Sequence, residues 1–533
     1  MKQKLAVGAS VFLAASLVLS ACGNPSGVKG SDIKPLSSNN EVAGGEQKAP
    51  QPELQKFYDQ RVSWKSCADF KPVLEMTDYA LNAPVYSCAQ IEVPLDYANP
   101  AGETIKLQLV RHTRNGEVNT PLFYNPGGPG GSAISGIENM VYNNFTSKLQ
   151  QKYDLVAMDP RGVGASTPVT CLTGEEIDKM RAGEDIPEGV DEIAYAQKQS
   201  AEYSQKCLDK SGDLVKHLDT NSVVADFDIA RAALGQEKLN YFGYSYGTAI
   251  GALYIDTYPD KVGHMVLDSA VDPALNVEQI ASGQAEGFEK SIRHFLDQSA
   301  DDDEEFPFRG ADAPKNFKAW FEKVDKTPIR TNNPDRPLTG ALLRSAVFSA
   351  MYSEELYQFA AEGIKEAYLE NDGSVLLNLT DLVNDRRSDG TYATNSFDAF
   401  NVINNLDYVP VGTEADWRKN VAELKAKHLI VGDQFGGSSA ILSAWKIPPR
   451  DTRRAVKGAG APPVLVIGGT NDPATPYVWS VSLAKQLESA KLITVETWGH
   501  GSYSVSASSC ITDAVDGYFL EDQVPDTDLN CEE

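Results

Sequence analysis

The stretch "LNYFGYSYGT", residues 239–248, contains an apolar run that ends at Ser245 and is followed by residues of helix-forming composition. This pattern predicts a strand, a tight turn at Ser245 and then a helix. Gly243 and Gly247 flank the serine and permit such a turn because they carry no side chain. A Gly-x-Ser-x-Gly match also arises by chance, so its meaning depends on the elements around it.

Further apolar runs of similar length occur along the chain, separated by helical stretches. Strands are predicted at residues 88–94, 104–112, 121–126, 153–159, 239–245, 264–269, 463–469 and 491–498. Short apolar strands that alternate with helices are typical of an α/β fold. We therefore expect an eight-stranded, mostly parallel sheet with helices on both faces.

Two segments interrupt the alternation of strands and helices. Residues 170–218 are polar and helix-prone and contain Cys171 and Cys207, which predicts a small helical excursion. Residues 273–455 contain amphipathic helical segments but no series of strands, which predicts a helical cap inserted between the sixth and seventh strands. The sheet domain is then expected at residues 53–272, including the excursion, and at residues 456–533.

The N-terminus has the pattern of an export signal. Lys2 and Lys4 precede an apolar run from Leu5 to Leu19, which is too short to span a membrane as a helix. The following "LSAC" resembles the bacterial lipobox, which implies that residues 1–21 are removed and that Cys22 is acylated, for example with palmitate. A plain secretory signal is the alternative. Residues 22–52 are rich in Gly, Ser, Asn and Pro and predict a flexible tether. We expect an exported protein that is anchored by lipid to the outer face of the cytoplasmic membrane.

Six cysteines remain besides Cys22, and an even number in an exported chain favours disulfides. They fall into three couples that are close in sequence, and the simplest pairing joins the members of each couple, although other pairings remain open. No CxxC motif or His/Cys cluster is present, so neither a zinc site nor another metal site is predicted. The expected pairs are Cys67 with Cys88, Cys171 with Cys207, and Cys510 with Cys531.

The chain is strongly acidic, with a formal net charge of -26. This charge argues against nucleic acid and against anionic lipid surfaces as partners, so membrane contact is expected only through the lipid anchor. It is compatible with substrates that carry an amine, although solubility outside the cell also explains it. The run Asp301–Glu305 lacks the spaced oxygen ligands of a calcium loop and predicts a solvated acidic loop. No cofactor is expected.

A serine at the C-terminal edge of a strand becomes a nucleophile when a base and an orienting carboxylate accompany it. His500 directly follows the last predicted strand, whereas His294 and His428 fall inside the predicted cap. Asp472 follows the seventh predicted strand in a turn-like segment, "TNDPATP". We therefore predict Ser245, Asp472 and His500 as a catalytic triad.

Alternatives remain for the acid. Asp472 also fits an aspartate that only stabilises its turn, and Asp268 at the end of the sixth strand is a competing candidate. Thr475 is placed to hydrogen-bond near Asp472 or to cap the turn.

A serine hydrolase also needs N–H donors for the oxyanion that develops during the reaction. Tyr246 directly follows the nucleophile, and the loop "NPGGPGGSA", 125–133, follows the third strand. We predict the backbone of Tyr246, Gly127 and Gly128 as the oxyanion hole. A phosphate-binding loop is the rival interpretation, but the Lys-Ser/Thr pair that such loops carry is missing.

Taken together, these residues resemble the α/β-hydrolase fold and, within it, the secreted actinobacterial tripeptidyl aminopeptidase and proline iminopeptidase group of serine peptidases. The resemblance rests on an ordered set of motifs: "VPLDYANP" (93–100), "NPGGPGGS" (125–132), "DLVAMDPRGVGASTPVTC" (154–171), "YFGYSYGT" (241–248), "LDSAVDP" (267–273), "TNDPATP" (470–476) and "GHGSY" (499–503).

The resemblance implies a serine aminopeptidase that releases short peptides, such as tripeptides, or single residues from free peptide N-termini through an acyl-enzyme. An esterase or lipase of the cell envelope with the same triad is the alternative, and an inactive hydrolase fold that serves as a binding module is a third. Cap positions where such proteins often carry a cysteine pair hold Asn405 and Leu442 here. The cap is therefore the part in which the resemblance says least about the substrate.

Overall fold

The computed structural model describes residues 47–532, apart from residues 115, 117, 118, 184, 185, 187 and 188. The predicted signal peptide at residues 1–21, Cys22 and the tether up to residue 46 lie outside the described residues. The tether was expected to extend to residue 52, but its last residues pack on the folded body. Ala49 is buried, and Arg231 donates a hydrogen bond of 3.0 Å to the side-chain oxygen of Gln47. The sequence did not predict these contacts, because the segment has no hydrophobic pattern.

The described residues form one sheet of ten strands. The strands are β1 (Lys65–Ser66), β2 (Tyr86–Pro94), β3 (Thr104–His112), β4 (Thr120–Asn125), β5 (Tyr153–Met158), β6 (Leu239–Tyr244), β7 (Val262–Asp268), β8 (Val464–Asn471), β9 (Ala490–Trp498) and β10 (Leu529–Glu532). Their order across the sheet is β1-β2-β3-β5-β4-β6-β7-β8-β9-β10. From β5 to β10 in that order all neighbours are parallel, whereas the pairs that involve β1, β2 and β3 are antiparallel.

All eight predicted strands are present, and the mostly parallel α/β architecture is confirmed. The count of eight was too low, because β1 and β10 extend the two edges of the sheet. Both extra strands are short and largely polar, so they lack the hydrophobic pattern that reveals a strand. Each lies beside a disulfide: Cys67, directly after β1, bonds to Cys88, and Cys531 in β10 bonds to Cys510. With Cys171–Cys207, all three predicted pairs are confirmed.

Strand β6, which ends next to Ser245, is buried along its whole length. Its side chains alternate between the two faces of the sheet, as the pleat requires. Tyr241 packs edge-on against Phe227 on one face, with ring centroids 5.5 Å apart. Phe242 packs on the other face against Phe145 and Tyr503, at 5.4 and 5.3 Å. Burial on both faces explains why this strand has a nearly continuous apolar sequence.

Helices cover both faces of the sheet. The α-helices before the cap are α1 (Gln55–Tyr58), α2 (Asp78–Asn82), α3 (Ala133–Asn139), α4 (Leu149–Lys152), α5 (Gly174–Ala182), α6 (Glu192–Ser211), α7 (Thr220–Ala233) and α8 (Tyr246–Thr257). Helices α1, α7 and α8 share one hydrophobic core with the sheet, and α2, α3 and α4 share the opposite one.

The chain between β7 and β8 forms a helical cap with a hydrophobic core of its own. Its helices are α9 (Val277–Asp302), α10 (Ala313–Lys326), α11 (Gly340–Ala350), α12 (Tyr357–Lys365), α13 (Ser374–Val383), α14 (Ser396–Asp407), α15 (Glu414–Lys427) and α16 (Ser438–Ala444). After the cap, α17 (Tyr477–Gln486) and α18 (Ser509–Glu521) complete the two layers that flank the sheet. No helix in the described part of the chain has the length and apolar content needed to cross a membrane.

The polar excursion at residues 170–218 packs against the cap. The Ser200 hydroxyl donates to the Ile441 carbonyl in α16 at 2.7 Å, and Tyr203 donates to Asp398 in α14 at 2.8 Å. Its buried residues, such as Tyr203 and Val215, belong to the hydrophobic core that also contains the sheet, so the segment contacts both the sheet domain and the cap. The Cys171–Cys207 bond joins the start of the segment to the last part of α6.

Candidate active site

Ser245 lies in a sharp turn between β6 and α8. Its backbone has φ of 54° and ψ of -124°, a conformation that residues with a side chain rarely adopt. Both flanking glycines are required by close backbone contacts. A Cβ on Gly243 would lie 2.5 Å from the Gly247 carbonyl oxygen, and a Cβ on Gly247 would lie 2.7 Å from the carbonyl oxygen of Asn125. The predicted strand, turn and helix are therefore present, with the serine at the C-terminal edge of the sheet.

Hydrogen bonds hold this strained turn in place. The Ser245 N–H donates to the Asp268 carbonyl at 3.0 Å, which ties the turn to the end of β7. The Ser245 carbonyl accepts from the Thr248 hydroxyl at 2.5 Å, and that hydroxyl in turn accepts from the Val271 N–H at 2.9 Å. Neighbouring segments thus stabilise a conformation that would be unfavourable in isolation, as is common at functional sites.

Asp472 and His500 lie together at the same edge of the sheet. The Nδ1 atom of His500 is 2.8 Å from Oδ2 and 3.0 Å from Oδ1 of Asp472. Asp472 also accepts hydrogen bonds from the Ala474 N–H at 2.9 Å, the Thr475 N–H at 2.8 Å and the Thr475 hydroxyl at 2.9 Å. The carboxylate is fully buried and fixed on several sides, so the orientation of the imidazole is fixed as well.

The loop that carries His500 is held by both the sheet domain and the cap. The His500 N–H donates to the Tyr352 carbonyl of the cap at 2.9 Å, and the Tyr352 ring packs edge-on against the imidazole, with centroids 5.2 Å apart. A Cβ on Gly499 would lie 2.8 Å from that same carbonyl oxygen. On the other side, the Gly501 N–H donates to the Ser269 hydroxyl at 2.8 Å. Tyr352 was not identified from the sequence, because nothing local marks a contact between segments so far apart.

Asp268, the competing candidate for the acid, has a different task. Its carboxylate accepts from the backbone N–H groups of Ser502 and Tyr503, at 3.0 and 2.8 Å, and so holds the loop after His500. Burial raises the pKa of Asp268 to about 6, although these two N–H donors oppose the shift. The structure therefore pairs the imidazole with Asp472 and uses Asp268 to fix the loop.

The other two histidines considered lie away from this arrangement. His294 in α9 stacks on Trp498, with ring centroids 3.7 Å apart, and its Nε2 lies 3.0 Å from Glu354. His428 directly follows α15 and is buried in the cap, where burial lowers its pKa.

In the acidic run, Asp303 pairs with Lys365 at 2.6 Å, and the described residues contain no cluster of side chains that could hold a metal ion.

The predicted oxyanion donors are only partly available. The Gly127 N–H donates to the side chain of Asn125 at 3.0 Å, so it is already engaged. Gly127 instead provides space: a Cβ there would lie 2.8 Å from the Ser245 Cβ. Gly128 and Tyr246 both line the pocket that contains Ser245, and the Tyr246 N–H, at the start of α8, has no carbonyl within the helix to bind. Gly128 and Tyr246 thus remain as candidate donors.

The pocket that contains Ser245 is lined mainly by the cap, and many of its walls are aromatic. Six of its aromatic residues come from the cap or the segment beside it: Phe288, Phe348, Tyr352, Phe400, Tyr408 and Phe435. Trp479 of α17 and Thr475 complete the side near Asp472. No acidic side chain of the described residues lines this pocket, and its one charged lining residue is Arg453. Sequence reasoning missed Arg453, because the segment "DTRRAV" at residues 451–456 carries no motif.

The electrostatics around His500 favour its protonated form. Burial alone would lower the pKa of the imidazole, but the charge of Asp472, its hydrogen bond and the charge of Asp268 outweigh burial and raise the pKa above 6.5. A base of this kind accepts a proton only when it is neutral, that is, at a pH above its own pKa.

This pKa leads to a test of the pH dependence of hydrolysis. We expect kcat/KM to rise with pH and to reach half its plateau above pH 6.5, because the protonated imidazole cannot accept the serine proton. Initial rates between pH 5 and 9 measure this midpoint. His264→Gln, which changes a histidine bound to Asp522 outside the pocket, should leave the midpoint unchanged. A midpoint at or below 6.5 would contradict the raised pKa of His500, and a rate that does not change across this range would contradict its assignment as the base.

Comparisons with known proteins find similar sequences among hydrolases. A family model described as TAP-like protein matches residues 429–531, which include Asp472 and His500. Serine protease Hip1 of Mycobacterium tuberculosis is 32% identical, over 92% of this chain and 94% of its own. Tripeptidyl aminopeptidase of Streptomyces lividans is 28% identical, over 88% of this chain and 86% of its own. Carboxylesterase B of Mycobacterium tuberculosis is 33% identical, over 88% and 89% of the two chains.

Proposed function

Since this chain belongs to the TAP-like family of α/β-hydrolase serine hydrolases, we propose that it is an exopeptidase that acts on peptides with a free N-terminus. The observation that carries the proposal is the Asp472–His500 pair at the sheet edge that also presents Ser245. The names of two relatives, a serine protease and a tripeptidyl aminopeptidase, support peptide bonds as the target.

The proposed mechanism assigns one step to each of these groups. The Ser245 hydroxyl attacks the substrate carbonyl while Nε2 of His500 takes its proton. Asp472 holds Nδ1–H, so that Nε2 is the nitrogen that faces the reaction, and it stabilises the positive charge that forms on the ring. The N–H groups of Tyr246 and Gly128 stabilise the oxyanion. His500 then protonates the leaving amine, and water hydrolyses the acyl-enzyme by the same steps.

The shape of the pocket favours an exopeptidase over an endopeptidase. Cap residues such as Phe288, Phe400 and Phe435 line the pocket that contains Ser245. A pocket with walls from the cap accepts the end of a chain more readily than its middle, because these walls restrict the path of a chain through the site. The aromatic faces also provide favourable contacts for the ammonium group of a peptide N-terminus.

Carboxylesterase activity is the second candidate, and one observation favours it. No acidic side chain of the described residues lines the pocket to pair with a substrate ammonium, and an apolar aromatic pocket suits an uncharged acyl chain. One relative, 33% identical, is a carboxylesterase. An esterase would use Ser245, Asp472 and His500 in the same way.

One comparison of substrates distinguishes the two candidates. The purified protein is given a tripeptide anilide with a free amine, the same compound with its amine blocked, and nitrophenyl esters of short acids. The exopeptidase proposal requires cleavage of the free anilide and a large loss of kcat/KM on blocking. Cleavage of the esters alone would establish the esterase and refute the peptidase. Equal cleavage of free and blocked anilides would refute the requirement for a free N-terminus.

We further propose that the enzyme works outside the cell, attached through lipid on Cys22. The support is the "LSAC" sequence, in which the cut would fall before Cys22, and the three disulfides, which form in oxidising compartments. Cys22→Ser is expected to move the protein from the membrane fraction to the medium and to abolish the incorporation of labelled palmitate. Ser26→Ala, a change in the same segment, should do neither. Incorporation of labelled palmitate into Cys22→Ser would contradict the anchor.

A further inference from the structure

Arg453 is one of the residues that line the pocket that contains Ser245. It follows α16 in an irregular segment, and its side chain is only 7% exposed. The ring of Tyr408 covers one face of the guanidinium group, with 4.4 Å between the Cζ atom and the ring centroid. A guanidinium stacked in this way keeps its N–H donors at its edge, in the plane of the group.

Two of these donors have no partner. The Nε and Nη1 atoms of Arg453 are buried and make no hydrogen bond with any described residue. Its one ion pair, from Nη2 to Oδ2 of Asp407, spans 3.7 Å, which is longer than the 2.7–2.9 Å or so of a charge-assisted hydrogen bond. Asp407 already accepts hydrogen bonds from the backbone N–H of Thr220, at 2.8 Å, and from its hydroxyl.

Another buried arginine shows how this chain satisfies a structural guanidinium. Arg161 is fully buried, and it binds both oxygens of Asp226, at 2.7 and 2.6 Å, together with the carbonyls of Pro94, Leu95 and His217. Three further arginines, namely Arg181, Arg231 and Arg344, each have one buried nitrogen without a partner. Arg453 leaves two, and of these described arginines only Arg453 lines the pocket.

A buried guanidinium edge with free donors is unfavourable unless something binds it. Its planar fork matches the two oxygens of a carboxylate, and no acidic side chain of the described residues lines the pocket to fill that role. We therefore propose that Arg453 is a substrate-binding residue that takes a carboxylate of the substrate within the pocket. This subsite rests on the proposed function, because it needs an acyl group bound at Ser245, and it adds a preference for acidic substrates.

The carboxylate could come from either side of the cleaved bond. On the acyl side it is a glutamate or aspartate side chain at the cleavage site. On the leaving side it is the C-terminal carboxylate of a short peptide. Two matched pairs of substrates distinguish these sources: Ala-Ala-Glu anilide against Ala-Ala-Gln anilide, and tetra-alanine against its C-terminal amide.

We expect one of the two pairs to show a preference of about 10- to 100-fold in kcat/KM for the acid, as for a hydrogen bond to a charged group. Arg453→Met should bring that ratio close to 1. Arg454→Met is the matched control, since it removes the same charge from the next residue, whose side chain is 41% exposed and bonds to Asn221. This control should keep the wild-type ratio. A ratio below about twofold in both pairs, or a preference that survives in Arg453→Met, would overturn the proposal.

Loss of Arg453 leaves Asp407 buried without its charge partner, so Arg453→Met alone could lower stability. The double variant Arg453→Met/Asp407→Asn removes both charges and is expected to lose the preference in the same way, with folding checked by thermal unfolding. Cleavage of Ala-Ala-Gln anilide reports separately on the proposed peptidase function. If the protein cleaves esters but not peptides, the nitrophenyl monoesters of glutaric acid and glutaramic acid replace the peptide pairs as matched acid and amide substrates. The ratio of their kcat/KM values is then judged by the thresholds given above for the peptides.

Discussion

Ser245→Ala should lower kcat by about 10⁵-fold or more, the largest effect expected of any single change in this protein. The hydroxyl that attacks the substrate is lost, and nothing else at the turn between β6 and α8 replaces it. The fold should survive, because the backbone hydrogen bonds of residue 245 to Asp268 and Thr248 involve no atom of the serine side chain. Steady-state rates on the substrate cleaved by the wild type, together with thermal unfolding, measure both expectations.

A fluorophosphonate probe gives an independent readout of the same residue. The wild type should form one covalent adduct at Ser245, and Ser245→Ala should form none. Ser506→Ala removes the same atom from an exposed loop serine and should change neither the rate nor the labelling. If folded Ser245→Ala kept its rate within tenfold, or still reacted with the probe, another nucleophile would be at work. If the folded wild type did not react, the chain would be an inactive hydrolase fold that acts as a binding module.

The sequence predicted the central sheet well because of how parallel strands are buried. Strands such as β5 and β6 are covered on both faces and therefore consist of nearly continuous apolar residues. The positions of Ser245, Asp472 and His500 follow from that sheet, since each comes shortly after a strand end and parallel strands end at one edge. Edge strands β1 and β10 were not predicted, because they have no hydrophobic pattern. Each pairs with only one neighbouring strand and is held in addition by a nearby disulfide.

The walls of the pocket could not be predicted, because they depend on contacts between distant segments. Arg453 and Arg454 are adjacent and identical in type, yet one is 7% exposed inside the pocket and the other is 41% exposed outside it. The difference comes from contacts with Asp407, the last residue of α14, and with Tyr408, which follows it: both contact Arg453. Tyr352 could not be predicted for the same reason: its carbonyl accepts from the His500 N–H, although the two residues are far apart in the sequence. The proposed triad is thus local to the sheet edge, whereas most of the aromatic residues that line the pocket come from the cap.

Asp472→Asn should have the second largest effect, a loss of about 10⁴-fold in kcat. The hydrogen bonds around residue 472 fix how the asparagine side chain would be oriented. Oδ1 of Asp472 accepts from the N–H groups of Ala474 and Thr475, so the oxygen of the asparagine amide must stay there. The amide nitrogen then takes the place of Oδ2, 2.8 Å from Nδ1 of His500. It donates to Nδ1 over the shorter of the two contacts and so favours the tautomer with its proton on Nε2, the nitrogen that must accept a proton from Ser245.

Asp268→Asn is the matched comparison, because Asp268 is also buried beside the same loop and contributes to the raised pKa of His500. Its carboxylate binds only the backbone of Ser502 and Tyr503, and an amide oxygen can keep part of that contact. Burial already raises the pKa of Asp268 to about 6, so a neutral group costs little there. We expect a loss of about tenfold, the value of one hydrogen bond. Equal losses in the two variants would mean that the acid of the triad is shared between Asp472 and Asp268, whereas a thousandfold difference assigns it to Asp472.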